Sequence, residues 1–274
     1  MKIAAIQMPV TADKARNIEM MRERVRRAAR EGAHLIVLPE MWNCPYTNDC
    51  FAAYAEPAEG DAWCALRDMA RETGVYLVGG SIPERDGECV YNTSFVFAPD
   101  GSQLARHRKM HLFDIDVVGG QRFFESETFT AGREVTTFDT PYGVFGLCIC
   151  FDLRFPELAR CMALRGARAI VTPAAFNMTT GPAHWELMFR QRAVDNQLFT
   201  VGAAPARDEG GVYVSYANSI VCSPWGTVLA RAGAGDEVLL CDVDLEENER
   251  VRAQLPLLSA RRTDVYELRE MKTI

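Results

Sequence analysis

Short apolar runs alternate along this chain with longer stretches whose apolar residues recur every three or four positions. "KIAAIQM" (2–8) reads as a buried strand, "NIEMMRERVRRAAREGA" (17–33) as an amphipathic helix ended by Gly32, and "LIVLPE" (35–40) as a strand stopped by Pro39. The same order returns later. "VFGLCIC" (144–150) reads as a strand, "PELARCMALRGA" (156–167) as a helix with proline in its first turn, and "AIVTPAA" (169–175) as another strand. Setting "EGAHLIVLPE" (31–40) on "RGARAIVTPA" (165–174) matches Gly-Ala, Ile-Val and Pro in both, with Gly32 on Gly166, an offset of 134 residues. Two strand–helix–strand units in one order point to an internal duplication.

Neither strand–helix turn is glycine-rich. "IQMPVTADKARN" and "ICFDLRFP" hold no Gly-x-Gly-x-x-Gly, which argues against a dinucleotide cradle. Hairpin-like runs follow at 90–108, 212–233 and 238–245, with turns at Pro99-Asp100-Gly101 and Pro224-Trp225-Gly226. Mixed pairing with helices outside predicts layered α/β, two sheets packed face to face. There is no Ser- or Pro-rich linker and no break in composition, so residues 1–274 are expected to form a single domain.

Composition narrows the partners. The chain has 274 residues, 48% hydrophobic and 24% charged, in the ordinary range for a globular protein. A net charge of -7 argues against nucleic acid or an anionic membrane. The basic cluster Arg22, Arg24, Arg26 and Arg27 is interleaved with Glu19, Glu23 and Glu31, which reads as a solvated helix face. Nine cysteines, without a Cys-x-x-Cys pair and partner ligands, suggest neither a disulfide scaffold nor a zinc or redox site. Reduced thiols suit a reducing compartment, so a cytoplasmic location is expected. No apolar run reaches the roughly 18 residues that a membrane span needs, and the opening strand is too short for a signal peptide.

In open α/β sheets, reactive groups collect beyond the carboxyl ends of strands. Glu40 closes one such run and Cys150 another, and the duplication would bring the two ends together. A carboxylate beside a thiol is a base with a nucleophile. Each has a plainer reading when taken singly: Glu40 as a surface acid, Cys150 as a buried strand cysteine. Cys148 shares a strand face with Cys150, but only Cys150 is terminal and followed by the polar "FDLRFPE", so Cys148 reads as core. His107 and His111 have a spacing that suits a metal on a helix, yet Arg106, Arg108 and Lys109 would repel a cation. His184, near a helix start, reads as a structural hydrogen-bonder, and Asp152 as tied up in its turn. Arg154 can clamp a substrate carboxylate through its planar fork or pair with an acid such as Glu157.

Three segments together are more specific. "LIVLPE" (35–40), "HRKMHLFD" (107–114) and "GLCICFDLRFPE" (146–157) resemble, in order and spacing, the signature blocks of the nitrilase-like carbon–nitrogen hydrolases, a family of Glu-Lys-Cys amidases. The likeness continues through "FNMTTGPAHWELMFRQRAVDNQLF" (176–199) and "SPWG" (223–226) to "CDVDL". Within the family, "KMHLFDID" (109–116) and "TTGPAHWEL" (179–187) are most similar to the omega-amidases, which deamidate 2-oxoglutaramate and 2-oxosuccinamate.

The resemblance implies a four-layer αββα sandwich of two mixed sheets with an internal pseudo-two-fold, assembled as a homodimer or larger. It implies Cys150 as nucleophile, Glu40 as base and Lys109 as oxyanion stabiliser. Glu125 falls on a second glutamate that would orient Lys109. Phe151, where relatives commonly carry Tyr or Trp, would supply only its backbone N–H to the oxyanion. No cofactor and no metal are expected. A free thiol ionises near pH 8.5, and a nearby Lys109 ammonium is expected to lower that value. The implied substrate is a small acyl amide with a distal carboxylate. Arg154 would bind that carboxylate, with Tyr46, Phe176 and Thr179 as candidate pocket walls. An N-carbamoyl-amino-acid hydrolase or a deaminated-glutathione amidase would use the same triad, and a nitrile hydrolase is a further option. A non-catalytic oligomeric scaffold is the alternative from another class; the full set of Glu40, Lys109, Glu125 and Cys150 argues against it.

Overall fold

In the computed structural model, which describes residues 1–271, the alternating pattern becomes one seven-strand and one six-strand sheet with helices outside them. The first ladder is laid down by β1 (Lys2–Gln7), β2 (Leu35–Val37), β3 (Tyr76–Val78), β4 (Ile82–Asp86), β5 (Cys89–Phe97) and β6 (Gln103–Arg108). A small ribbon follows, β7 (Asp114–Asp116) with β8 (Arg122–Phe124). The second ladder holds β9 (Thr136–Thr140), β10 (Gly143–Leu147), β11 (Ala167–Pro173), β12 (Phe199–Ala203), β13 (Ile220–Cys222) and β14 (Val228–Arg231), after which β15 (Glu237–Asp242) returns to the first beside β1. The helices are α1 (Lys14–Arg30), α2 (Asn48–Tyr54), α3 (Asp61–Thr73), α4 (Pro156–Leu164), α5 (Gly181–Asn196) and α6 (Glu247–Gln254).

Pairing directions expose the duplication. In the first ladder β15 runs antiparallel to β1, β1–β2–β3 are parallel, and β5 and β6 are antiparallel, with β4 sharing one edge of β5 with β3. In the second, β9 is antiparallel to β10, β10–β11–β12 are parallel, and β13 and β14 are antiparallel. Apart from β4, which has no counterpart in the second sheet, the two orders correspond strand for strand.

Three apolar clusters define the layers. Ile3, Leu35, Val37 and Val78 meet Phe145, Leu147, Val171 and Val201 between the sheets. Ile36, Leu38 and Phe95 pack outward on Met21 and Val25 of α1 and on Leu66 and Met69 of α3. Ile170 and Ile220 pack the other way on Leu158 and Met162 of α4 and on Trp185 and Phe189 of α5. Inner strands are thus covered on both faces, which is why they read as unbroken apolar runs rather than alternating ones.

Local departures from the expected elements have local causes. Helix α1 starts ahead of Asn17 because the Asp13 carboxylate accepts the Arg16 N–H at 3.0 Å and caps it. Its outer arginines are paired: Arg22 and Arg26 with Glu72, Arg24 with Asp236, Arg27 with Glu31. The run 144–150 is strand only to Leu147. Asp152 draws in the Ile149 N–H (3.1 Å), and Cys150, at φ 46°, opens a 3-10 turn over Cys150–Arg154. The expected alternation of Cys148 and Cys150 on one strand therefore does not apply. The run from 212 pairs as strand only from Ile220. Before it, Ala217 and Asn218 take positive φ (59° and 62°), and the Ser215 hydroxyl accepts the Ala217 N–H.

Gly80 links this frame to the end of β2. Its φ is 61°, and a Cβ there would lie 2.1 Å from the Pro39 carbonyl oxygen, next to Glu40. Gly87 also has positive φ (58°) but faces open space. Gly80→Ala is expected to lower unfolding stability by about 1–3 kcal/mol beyond the cost of Gly87→Ala, because only the first must also push backbone aside. Urea midpoints of the two variants check this; equal losses would remove Gly80 as the prop under Glu40.

Candidate active site

Three strand ends and one turn converge between the ladders. Glu40 follows β2, Lys109 follows β6, Glu125 follows β8, and Cys150 opens the turn after β10. The Lys109 ammonium lies 2.9 Å from Glu40 Oε1 and 2.8 Å from Glu125 Oε2, and all three side chains are 0% exposed. Backbone bonds hold the lysine in place: its N–H donates to Asn92 O (2.8 Å), and its carbonyl accepts the Gly132 N–H (2.8 Å).

Donors surround both carboxylates. Glu40 accepts from Lys109, from Asn92 Nδ2 (2.9 Å) and, on its other oxygen, from the Ala175 N–H (2.8 Å). Glu125 accepts from Lys109 and from the Phe113 N–H (2.8 Å). The Tyr46 hydroxyl lies 2.6 Å from Glu125 and 3.2 Å from Glu40, so its single proton serves Glu125 better. The Ala175 N–H also reaches the Cys150 thiol.

Protonation follows from burial and excess negative charge. Burial and the Glu40 charge push the Cys150 thiol well above its ordinary range, and the opposing pull of Lys109 is the weaker effect. Lys109 lowers the thiol as expected, but burial and Glu40 outweigh it, so the balance favours a neutral resting thiol. Burial lowers the lysine's hold on its proton, but Glu125 and Glu40 more than restore it, and the ammonium stays charged. Burial, opposed by Lys109 and helped by Glu40, raises the Glu125 carboxyl. Cys148, by contrast, is core: its thiol contacts the Thr172 hydroxyl at 3.3 Å and is held neutral by burial.

Asp152 ties the lysine segment to the cysteine turn. One oxygen accepts from the N–H groups of Met110 (3.2 Å) and His111 (2.9 Å) and from His111 Nδ1 (2.8 Å); the other accepts from Ile149 N–H and His107 Nε2 (2.9 Å). Since a carboxylate only accepts, His107 donates to it from Nε2, and its Nδ1 lies 2.9 Å from the Thr136 hydroxyl. Both histidines of the i, i+4 pair are thereby engaged with a carboxylate. Despite the cost of burial, His107 and His111 hold Asp152 well below the usual carboxylate range.

A cavity of about 400 Å³ reaches Glu40, Tyr46, Ala175 and Tyr213, with Met41, Cys44 and Val212 among its apolar walls. A larger one, about 760 Å³, lies beside His111, Arg165 and Glu270 and touches neither Glu40, Lys109 nor Cys150. We assign the smaller as the entry because it reaches Glu40 and Tyr46, while Lys109, Cys150 and Arg154 line neither cavity. Tyr46 stands in its wall. Phe176 and Thr179 do not line it: Phe176 is buried edge-on to Trp185 (5.1 Å between centroids), and Thr179 is exposed beside Gly120 of the β7–β8 turn. Arg154 is not paired with the exposed Glu157; its Nη1 meets His184 Nδ1 at 3.1 Å. Asn92 and Tyr213 were not anticipated. Asn92 could have been noticed as a polar residue inside an apolar strand. Tyr213, stacked 4.4 Å from Tyr46, had no local signal.

Comparison with known proteins places this geometry. A family model described as carbon-nitrogen hydrolase matches residues 2–253. Omega-amidase NIT2 of Mus musculus is 48% identical over 271 residues, covering 99% of this chain and 98% of that protein. The crystal structure of Saccharomyces cerevisiae Nit3, a member of branch 10 of the nitrilase superfamily, superposes with a TM-score of 0.88 at 40% identity, over 96% of each chain. An amidase from Nesterenkonia sp. gives a TM-score of 0.80 at 28% identity, over 97% of this chain and 94% of that one.

The buried thiols and phenols predict the alkaline side of the stability profile. Cys150, Tyr46 and Tyr213 are raised, and burial takes Cys222 up to about 12. Each keeps its proton to higher pH in the folded chain than in the unfolded one. Stability is therefore fully present below the unfolded values and falls above about pH 9, by up to about 1.4 kcal/mol per pH unit per group. Urea unfolding at pH 7.5 and pH 10 measures this; equal stability at both would contradict the neutral resting thiol.

Proposed function

Because the chain belongs to the carbon–nitrogen hydrolase family and is an amidase acting on non-peptide amides, we propose that it is a thiol amidase of the omega-amidase type, releasing ammonia from a small amide with a distal carboxylate. The observation that carries this reading is the buried Lys109 ammonium held between Glu40 and Glu125 next to the Cys150 turn. The substrates proposed are 2-oxoglutaramate and 2-oxosuccinamate, supported by the likeness to omega-amidases and by an arginine, Arg154, with no acidic partner among the groups acting on it.

The steps use side chains of this chain alone. The Cys150 sulfur bonds to the amide carbon while its proton passes to Glu40, so no free thiolate need accumulate. Charge developing on the carbonyl oxygen is met by the Lys109 ammonium and the Phe151 N–H. Glu40 returns the proton to nitrogen as the C–N bond breaks and ammonia leaves. Water then attacks the thioester, again with Glu40 as base, releasing the acid and restoring the thiol. Glu125 keeps Lys109 charged and aimed. A cytoplasmic, single-domain, homodimeric or larger assembly belongs to the same proposal. Nine free cysteines support the reducing setting, and the exposed Leu187 and Trp225 offer an apolar face for a second copy, which a sizing column would read.

Cys150→Ala is expected to abolish ammonia release with an unchanged circular-dichroism spectrum, and Lys109→Ala to cost about 10²–10³ in kcat or more, the loss of one oxyanion donor. Intact mass after acid quench should show the acyl increment on the wild-type chain and none on Cys150→Ala; retained turnover in that variant would sink the assignment. Ammonia release should be faster from 2-oxoglutaramate than from N-carbamoyl-alanine, and the opposite ranking would favour the carbamoyl-hydrolase alternative.

A further inference from the structure

We propose that His184 is a positioning residue that sets selectivity for acidic amides: it occupies Nη1 of Arg154 and leaves the Nε/Nη2 edge of that guanidinium as the fork for the substrate's distal carboxylate. The inference rests on the reading of Arg154 given under Proposed function.

Two neighbouring arginines make the contrast. Arg192 is fully engaged. Its Nε donates to Leu153 O (2.9 Å), its Nη1 pairs with Asp195 (3.0 Å), and its Nη2 donates to Arg154 O (3.1 Å), fixing the backbone of the cysteine turn. Among the described residues the only hydrogen bond of the Arg154 side chain is the one with His184. Its Nε is buried without any partner, and among the described residues no carboxylate is among the groups acting on it. Leaving a buried guanidinium N–H unmet is costly, and a two-oxygen anion on the Nε/Nη2 edge satisfies both free positions at once.

The geometry admits few other orientations. The guanidinium carbon sits 4.8 Å from the Phe176 ring centroid and 5.5 Å from that of Phe151, between two aromatic faces. A guanidinium has no lone pair to offer, so it donates and His184 Nδ1 accepts, with the ring proton on Nε2. His184 itself is rigidly based: its N–H donates to Thr180 O (2.9 Å), and the adjoining Trp185 is buried with its indole N–H on Asn218 O (2.7 Å). Phe176, expected in a substrate pocket, thus acts as the floor under Arg154. The fork and the thiol belong to one turn, Cys150–Arg154, so the reacting end and the acidic end of a small substrate are held by the same few residues.

The test compares kcat and KM for 2-oxoglutaramate and for valeramide, a neutral five-carbon amide, in wild type, His184→Leu, His184→Asn and Arg154→Leu. His184→Leu is expected to raise KM for 2-oxoglutaramate about tenfold or more, the loss of a charge-assisted hydrogen bond, with a much smaller change in kcat. The acid-over-neutral ratio of kcat/KM falls accordingly, and His184→Asn, which keeps an acceptor, restores part of it. An unchanged ratio in His184→Leu, alongside a collapsed ratio in Arg154→Leu, overturns the role of His184 and leaves that of Arg154. Equal losses on both substrates in His184→Leu mark a merely structural histidine and also overturn it. An unchanged ratio in Arg154→Leu, or no turnover of 2-oxoglutaramate by the wild type, removes the underlying reading instead.

Discussion

One ammonium shut away from water with two carboxylates leaves this fold an excess of negative charge that it must carry. Lys109 neutralises one of Glu40 and Glu125, not both, and none of the three has solvent contact. At such sites charges act on one another strongly, and removing one partner of a buried pair costs about 3–5 kcal/mol. The excess is visible in every ionisable neighbour that faces it. After burial itself, Glu40 or Glu125 is among the charges that push up Cys150, Tyr46 and Tyr213, and Glu40 pushes up Glu125. The centre therefore holds protons. A thiol there is useful only if its proton leaves as the new bond forms, into a carboxylate already in place. In the proposed chemistry Glu40 fills that role, since Lys109 has no free lone pair while it is held as an ammonium.

The sheets exist in the form that makes this burial tolerable. Each charged group arrives from a separate strand end, so no single loop has to turn several polar residues inward. The ends are strained where they must aim: Met41, beside Glu40, has φ 51°, and Cys150 has φ 46°. Conformations of that kind cost about 1–3 kcal/mol each and persist only where the surroundings over-determine them. Here the surroundings are the Asp152 carboxylate, which gathers N–H groups from both sides of the site, and Gly80, which lets the β3–β4 link lie against Pro39.

Much of this could be read from the sequence, for a physical reason. Strands covered on both faces must be apolar throughout, and a charged or thiol residue ending such a run is conspicuous. That made Glu40, Cys150 and the duplicated β1–α1–β2 and β10–α4–β11 units legible. What escaped depends on particular side-chain partners, most of them distant in the chain. The break of β10 at Leu147 is caused by the Asp152 side chain, not by a strand-breaking residue. Asn92 is buried in mid-strand because Glu40 needs a donor there, and Tyr213 is placed by stacking on Tyr46 across 167 residues. Lys109 had the least local signal of all: by composition it is one more cation in "HRKMH", and only the segments before and after it gave it a role.

The same charge count bears on which amides the site can accept in the proposed reading. A substrate with its own carboxylate enters a region already one negative charge in excess, and repulsion would exclude it unless a cation stood at its far end. Arg154 is such a cation, desolvated, stacked on rings and without an acidic partner among the groups acting on it. A neutral amide meets no repulsion, but it leaves that buried guanidinium edge unmet. Sites built around a buried polar group reject analogues that cannot pair with it far more strongly than apolar pockets reject analogues of the wrong size. Selectivity for the acid then comes from the empty arginine fork penalising its absence as much as from attraction. That places the discrimination in the turn carrying Cys150 rather than in the apolar walls of the entry cavity.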